Sequence, residues 1–298
     1  MIKQTLGDRI FNLCNLAIMI FLAVITLYPF LNVAAISFNE GIDTTINSSL
    51  IFPRKFTLEN YMVAFKYPAL KGAAAISMSR TVLGTLVHML VVTLAAYALS
   101  KKDLLFRKSI LTFYLLPTFI NAGIVPYYIN LYNLGLINNF LVYIFPVAFS
   151  FYDFLIIRTY IQGLPVELEE SAIIDGASFS RIFLRIIIPM SIPAIAAITL
   201  FHAVYQWNEW FSSMVYVSDS KLFTLQYLLQ SILKEAQEIS QVMSASDYEF
   251  RNIERVKTTT ETSVRMAVLM ISTVPILIVY PFIQKYFAQG MMLGAIKG

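Results

Sequence analysis

Long stretches without a charged side chain run through this chain, and they limit its fold more than any other feature. Residues 10–36, 81–100, 109–152, 186–208 and 266–284 contain no Asp, Glu, Lys or Arg. The stretch 109–152 is interrupted by Asn133-Leu134-Gly135-Leu136-Ile137-Asn138-Asn139, whose Asn and Gly residues favour turns. Dividing it there, and letting the fourth segment run on through Asp153, gives six apolar segments near the roughly 20 residues a helix needs to cross the hydrocarbon of a bilayer. Composition agrees, with 58% hydrophobic and 13% charged residues, against about 45–50% and about 25% in soluble domains. Backbone in lipid must satisfy its own hydrogen bonds. The expected fold class is therefore all-α, a polytopic membrane protein with six transmembrane helices.

Orientation follows from the short loops. Lys101, Lys102, Arg107 and Lys108 lie between the second and third segments, and the loop between the third and fourth has no basic residue. The positive-inside rule puts the first of these loops in the cytoplasm, and with it both termini and the segment Leu164 to Pro189. The long segments 39–75 and 213–261 then lie outside; they carry basic residues too, but long loops cross largely regardless of charge. Within the second, an amphipathic helix is expected around Leu225 to Ile239. The first segment is longer than the apolar core of a signal peptide, and no small-residue cleavage site follows it, so it stays attached. Cys14 is the one cysteine, which leaves no disulfide framework to read. The net charge of +4 suits anionic headgroups, and nothing in it calls for nucleic acid.

Between two apolar spans, Leu164–Pro189 reads LPVELEESAIIDGASFSRIFLRIIIP. Pro165 suits the first turn of a helix, and Glu167, Glu169 and Glu170 favour the positive end of its dipole. Asp175-Gly176 breaks that helix, with Gly176 free to take positive φ. Ser178 can cap a second short helix with Arg181 and Arg185 on one face and Ile182, Phe183 and Ile186 on another. A helix-turn-helix elbow on the cytoplasmic side results, with Glu170 placed to meet a basic residue of a partner. The plainer reading is that Glu170 only favours its own helix dipole and Gly176 only ends the helix.

The sequence Glu170-Ser171-Ala172, then Gly176, then Ile186-Ile187-Ile188-Pro189, resembles the EAA loop of permease subunits of ABC-type importers, with Ser171 for alanine and Ile188 for leucine. Asp175-Gly176-Ala177, Trp207-Asn208-Glu209, Tyr280-Pro281-Phe282 and the terminal Gly294-Ala295-Ile296-Lys297-Gly298 are similar to the carbohydrate-uptake, maltose-permease-like branch, and to its complex-oligosaccharide subgroup. The resemblance implies an N-terminal helix and outer loop over 1–75 and a permease core over 76–298. It implies a bacterial cytoplasmic-membrane complex of this chain with a second homologous permease, two ATP-binding subunits and an extracytoplasmic solute-binding protein. Sugar would move by alternating access. Glu169, Glu170, Ser171, Ala172, Asp175, Gly176 and Ala177 would form the ATPase-coupling loop, and Gly294, Lys297 and Gly298 a tail reaching the ATPase interface. ATP and Mg would be held by the partner ATPases, so this chain would bind no cofactor and catalyse no reaction.

The residues read alone agree in part. No GxxxxGK[ST] is present, so ATP cannot be held in the P-loop manner. His88 and His202 lie in separate spans with no carboxylate or cysteine at ligand spacing in sequence, which reads as helix-packing polar groups and not as a metal site. Asp153 falls inside the fourth span and Glu209 ends the fifth; acids in a membrane usually face a cavity or a partner. Asp153 could gate, bond a second subunit or pair locally with Arg158. Trp207, Asn208 and Glu209 could contact sugar, the ring covering apolar sugar faces and the polar groups taking hydroxyls, together with Tyr127 and Tyr128 beside a proline-marked bend. Equally, Trp207 and Trp210 could anchor Glu209 in an interfacial belt. Pro117, Pro126, Pro146, Pro193, Pro275 and Pro281 allow kinks in or at the ends of the spans. The alternative function is a permease of the same superfamily for a peptide or amino acid. A membrane-embedded enzyme would need clustered ionisable groups, and those found are scattered along the sequence.

Overall fold

The computed structural model describes residues 6–46, 51–66, 68–120, 122–232, 234 and 259–295. Among them no strand occurs, and β-pairing is confined to an isolated antiparallel bridge, Asn39 to Phe56. Contacts divide the chain into two units, Met1–Leu70 with Leu229–Val274, and Lys71–Leu228 with Pro275–Gly298.

In the first unit, α1 (Leu6–Ser37) is apolar on every side, and its side chains from Ile10 to Leu31 are exposed. That is the character of a helix made for lipid or for another subunit. Thr26, a polar group within it, bonds back to the Leu22 carbonyl. Near its end, Ala35 and Ile36 are buried against Met266. The following loop, with α2 (Gly41–Ile46) and α3 (Glu59–Lys66), is organised by two buried asparagines. Asn39 Oδ1 accepts from the Arg54 and Lys55 amides at 2.9 and 2.8 Å. Asn60 Nδ2 donates to the Ser37 and Asn39 carbonyls at 3.0 and 2.8 Å, and its Oδ1 accepts from Ser263 at 2.8 Å.

The second unit is built on α4 (Pro68–Ser100). Ser77, Arg80 and His88 of α4 are buried, and with Gly84 they recur every three or four residues, so one face of the helix carries a polar stripe. The expected second span began only after Arg80; the helix starts earlier and takes Arg80 inside. After α5 (Arg107–Leu115), a 3₁₀ turn at Leu116–Phe119 contains Pro117, and α6 (Ile124–Asn133) follows. Gly135 and Asn138 take positive φ, 68° and 55°, at the expected Asn/Gly break. Next come α7 (Phe151–Gln162), α8 (Val166–Ile174), α9 (Phe179–Ile182), a π-helical turn at Phe183–Ile187, α10 (Ile188–Met190), α11 (Ile192–Asn208) and α12 (Phe211–Tyr216). Met89, Val92 and Ala96 of α4 pack with Phe154, Ile157, Ile182, Ile187 and Ile198 as its core. Residues 225–232 are helical, and the rest of the helix expected to reach Ile239 lies outside the described residues, apart from Lys234. A final helix, α13 (Glu261–Ala295), takes in Gly294 of the expected tail. Lys297 and Gly298 lie outside the described residues.

Two helices, Gly7–Ser37 and Ala69–Ser100, are long and apolar enough to cross a membrane. Two bent pairs, Phe140–Val147 with Phe151–Gln162 (48°) and Phe179–Met190 with Ile192–Asn208 (78°), raise this to four, and Thr262–Ile278 is a shorter apolar helix. Among the described residues, length and composition thus pick out two to four of the six expected spans. The 78° break at Ser191 lies between Pro189 and Pro193, and Pro117, Pro146, Pro189 and Pro193 each stand at the start of a short segment, where a missing N–H costs least.

Candidate functional site: the elbow and a buried polar belt

The expected elbow is present. In α8, Glu167 and Glu169 occupy the first turn. The helix closes with Gly176 N–H donating to the Ile173 carbonyl at 3.0 Å and Ala177 N–H to the Ala172 carbonyl at 2.9 Å, a Schellman closure that needs left-handed backbone at Gly176, where φ is 75°. A Cβ there would meet nothing within 4 Å, so the glycine serves conformation and not space within this subunit. Ser178 precedes α9 but makes no capping bond; its hydroxyl lies 3.2 Å from that of Ser180. Ile182 and Phe183 are buried, while Arg181 and Arg185 are exposed, as the two-faced pattern required. The second helix turns π-helical at Phe183–Ile187, just before Pro189.

Glu169 and Glu170, adjacent in sequence, do different things. Glu169 points inward: it forms an ion pair with Lys101, accepts from Tyr97 Oη at 3.3 Å, and Lys101 Nζ stands 4.2 Å over the Tyr97 ring. That cluster clamps the elbow to the end of α4. Glu170, Ser171 and Asp175 are exposed, and Ala172 and Ala177 pack partly against the core.

The second arrangement was not visible in the sequence. Arg80, 1% exposed, donates from Nε to Gln206 Oε1 at 2.8 Å and from Nη1 to the Glu209 carbonyl at 2.7 Å, forms an ion pair with the Glu209 carboxylate, and lies 4.7 Å over the Tyr143 ring. Glu209 Oε1 also accepts from the Ser212 amide at 2.8 Å. Gln206 Nε2 donates to the Tyr143 carbonyl at 3.2 Å and sits 3.4 Å from His202 Nε2. Gln206 can enter because residue 84 is glycine; a Cβ there would collide with its amide. The His202 ring stacks on His88 at 3.6 Å and 8°, and His88 reaches the Val147 carbonyl and Asp153 Oδ2, each at 3.0 Å. The histidines therefore do have a carboxylate partner, contrary to the expectation. It comes from another helix and cannot be seen in sequence spacing.

Ligating atoms of His88, Asp153 and His202 lie within 4.8 Å of one another. Stacked rings direct their nitrogen lone pairs along two parallel planes, so both cannot bind one ion without a ring turning, and Gln206 already faces His202 Nε2. The cluster fits a polar helix junction better than a metal centre.

Two cavities adjoin this belt. One, of about 170 Å³, is lined by Arg80, Tyr127, Tyr143, Tyr205, Glu209 and Tyr216 among others. The other, of about 360 Å³, is lined by Ser150, Asp153, His202 and Tyr205 with Pro146 and Phe149. Of the six residues expected on a sugar path, Tyr127, Asp153 and Glu209 thus reach a cavity wall. Tyr128 stands 6.1 Å from the Tyr216 ring, Trp207 is buried, and Asn208 is exposed and accepts from Gln226 at 3.3 Å. Asp153 pairs with His88, and Arg158 donates instead to the Leu99 carbonyl at 3.0 Å.

Residues 88–293 match the family model described as binding-protein-dependent transport system inner membrane component. The chain belongs to this family. The permease is 36% identical to Protein LplC of Bacillus subtilis (strain 168) over 99% of this chain and 97% of that protein. It is 33% identical to the polygalacturonan/rhamnogalacturonan transport system permease protein YtcP of the same organism, over 98% of this chain and 99% of that one. Among solved structures, it resembles a chain from the crystal structure of a bacterial ABC transporter involved in the import of the acidic polysaccharide alginate, with a TM-score of 0.84 and 26% identity, covering 96% of this permease and 100% of that chain.

Proposed function

We propose that this permease is the membrane-spanning subunit of an ABC importer for a sugar or oligosaccharide, working by alternating access driven by partner ATPases. Relatives of nearly equal length are named as permeases for such substrates, including polygalacturonan/rhamnogalacturonan and trehalose/maltose. The observation that carries the mechanism is that one unit of the chain holds both an elbow clamped to the end of α4 by Lys101–Glu169 and a tyrosine-lined cavity walled by Arg80 of the same helix. Movement of the elbow would be passed along a rigid helix to the cavity. Tyrosine rings with hydroxyls, beside a carboxylate already balanced by a guanidinium, suit the apolar faces and hydroxyls of a sugar.

The finer parts of this reading are six membrane crossings with both termini cytoplasmic, a second homologous permease, two ATP-binding subunits holding ATP and Mg, and an extracytoplasmic solute-binding protein. The family description, binding-protein-dependent transport, supports the last. The short-loop charges support the orientation. Exposed Glu170 and Asp175 would meet the ATPase, and the C-terminal residues Gly294, Lys297 and Gly298 would approach its interface. The test is purification of the complex through a tag on this chain. ATPase subunits should co-purify, and the solute-binding protein loaded with oligosaccharide should stimulate ATP hydrolysis. Purification of the chain without any ATPase would refute the reading.

A further inference from the structure

At the end of α4 two guanidinium groups meet on one carbonyl. Arg107 Nε and Arg158 Nε each donate to the Leu99 carbonyl oxygen at 3.0 Å. With its amide oriented to suit both, Gln162 accepts from Arg158 Nη2 at 3.2 Å and from Arg107 Nη2 at 2.9 Å. These acceptors are neutral. The ion pairs Lys55–Glu40, Arg80–Glu209 and Lys101–Glu169 use neither arginine. Two like charges held together at the end of an apolar helix, with guanidinium donors to spare, attract an anion, and a phosphate accepts such donors in pairs.

The adjoining segment says which anion. Leu104, Leu105 and Phe106 are 39%, 74% and 73% exposed. Lys102 and Lys108, both exposed, flank them, with Asp103 as the acid of the segment. Exposed bulky apolar side chains among cations, next to a helix able to span a bilayer, are the pattern of a surface whose apolar groups enter the membrane while its cations take headgroup phosphates.

We propose that Arg107 and Arg158, with Leu104-Leu105-Phe106 beside them, bind the phosphate headgroup of an anionic lipid in the cytoplasmic leaflet. The leaflet rests on the orientation proposed above. Because Leu99 lies two residues before Lys101, the bound headgroup would brace the end of α4 that holds the elbow.

The experiment uses the whole complex in nanodiscs of phosphatidylcholine doped with photoactivatable phosphatidylglycerol, with cross-links read by peptide mass spectrometry. Labelling should concentrate on residues 104–107 and fall by roughly tenfold or more in Arg107→Gln/Arg158→Gln, the loss expected when two headgroup cations are removed. Arg107→Lys/Arg158→Lys should retain most of it. The two arginines also tie α4 to α5 and α7, so Leu105→Ser/Phe106→Ser, which breaks no described hydrogen bond, provides an independent variant that should also lower labelling. Equal labelling of wild type and both neutralising variants would overturn the proposal. Displacement of the lipid by millimolar inorganic phosphate would assign the site to soluble phosphate instead, and loss of an ATPase subunit from the Arg107→Gln/Arg158→Gln complex would assign it to a protein partner. Labelling is read without transport, so its failure is separate from failure of the transport function.

Discussion

Removing the Glu209 carboxylate should destabilise the permease more than any change at an exposed acid. Arg80 is 1% exposed and its other acceptors are the Gln206 amide oxygen and a backbone carbonyl, so Glu209→Leu leaves a buried guanidinium without a counter-charge. Breaking such a pair from one side typically costs about 3–5 kcal/mol. Arg80→Met should cost less, because the Glu209 side chain is 12% exposed along the cavity and can turn towards water. The double variant Arg80→Met/Glu209→Leu removes both charges; it leaves the buried Gln206 Oε1 unmet, about 1–3 kcal/mol, and the residue 209 carbonyl beside the cavity, while the Ser212 amide loses its carboxylate acceptor in Glu209→Leu as well. It should therefore be more stable than Glu209→Leu alone. The assay is the unfolding free energy of the purified complex in bicelles by steric trapping, run as a double-mutant cycle. Additive losses, with the double variant less stable than either single one, would refute the claim that Arg80 depends on Glu209 for its charge balance.

Four further outcomes follow from the same geometry. Gly176→Leu places a branched side chain at φ 75°, which costs about 1–2 kcal/mol in the loop; subunits should still assemble, while ATP hydrolysis stimulated by the loaded binding protein is lost. Lys101→Ala should cost only about 0.2–1 kcal/mol of stability, since both partners are partly exposed, yet reduce stimulated hydrolysis by loosening the elbow; unchanged stimulation would discard the clamp. Gly84→Ala should push Gln206 off Arg80 and slow sugar uptake, with Gly84→Ala/Gln206→Ala recovering part of it. In a Cys14→Ser background, cysteines at Lys102 and Ser178 should react with an impermeant thiol reagent only in opened membranes and one at Asn138 in intact cells; labelling at Ser178 from outside would reverse the orientation.

The elbow was legible because its signals are local. Pro165 before a run of acids, Gly176 where left-handed backbone is needed, and Ile182 and Phe183 opposite Arg181 and Arg185 each act within a few residues, and the structure shows them so. The buried belt was not legible, because its bonds join residues far apart in the chain: Arg80 to Glu209, and His88 to Asp153. One clue was present in α4, where Ser77, Arg80, Gly84 and His88 share a face, but counting uncharged runs began the span at residue 81 and set Arg80 aside as its boundary. The same counting read residues 109–132 as one apolar stretch and did not show that it holds two helices, Arg107–Leu115 and Ile124–Asn133, with a 3₁₀ turn at Pro117 between them. Trp207, prominent beside Asn208 and Glu209, is buried in the fold. Helical phase decides which of three neighbours faces a cavity, and the sequence left that phase open.

ATP-driven accumulation of labelled oligosaccharide in proteoliposomes containing this chain with the proposed second permease and ATPases is the most direct test of the central claim. With ATP on the elbow side and the solute-binding protein on the other, an oligosaccharide should accumulate, and Gly176→Leu should abolish accumulation while the complex remains assembled. Accumulation of an amino acid or peptide in place of sugar, or undiminished uptake with Gly176→Leu, would contradict it.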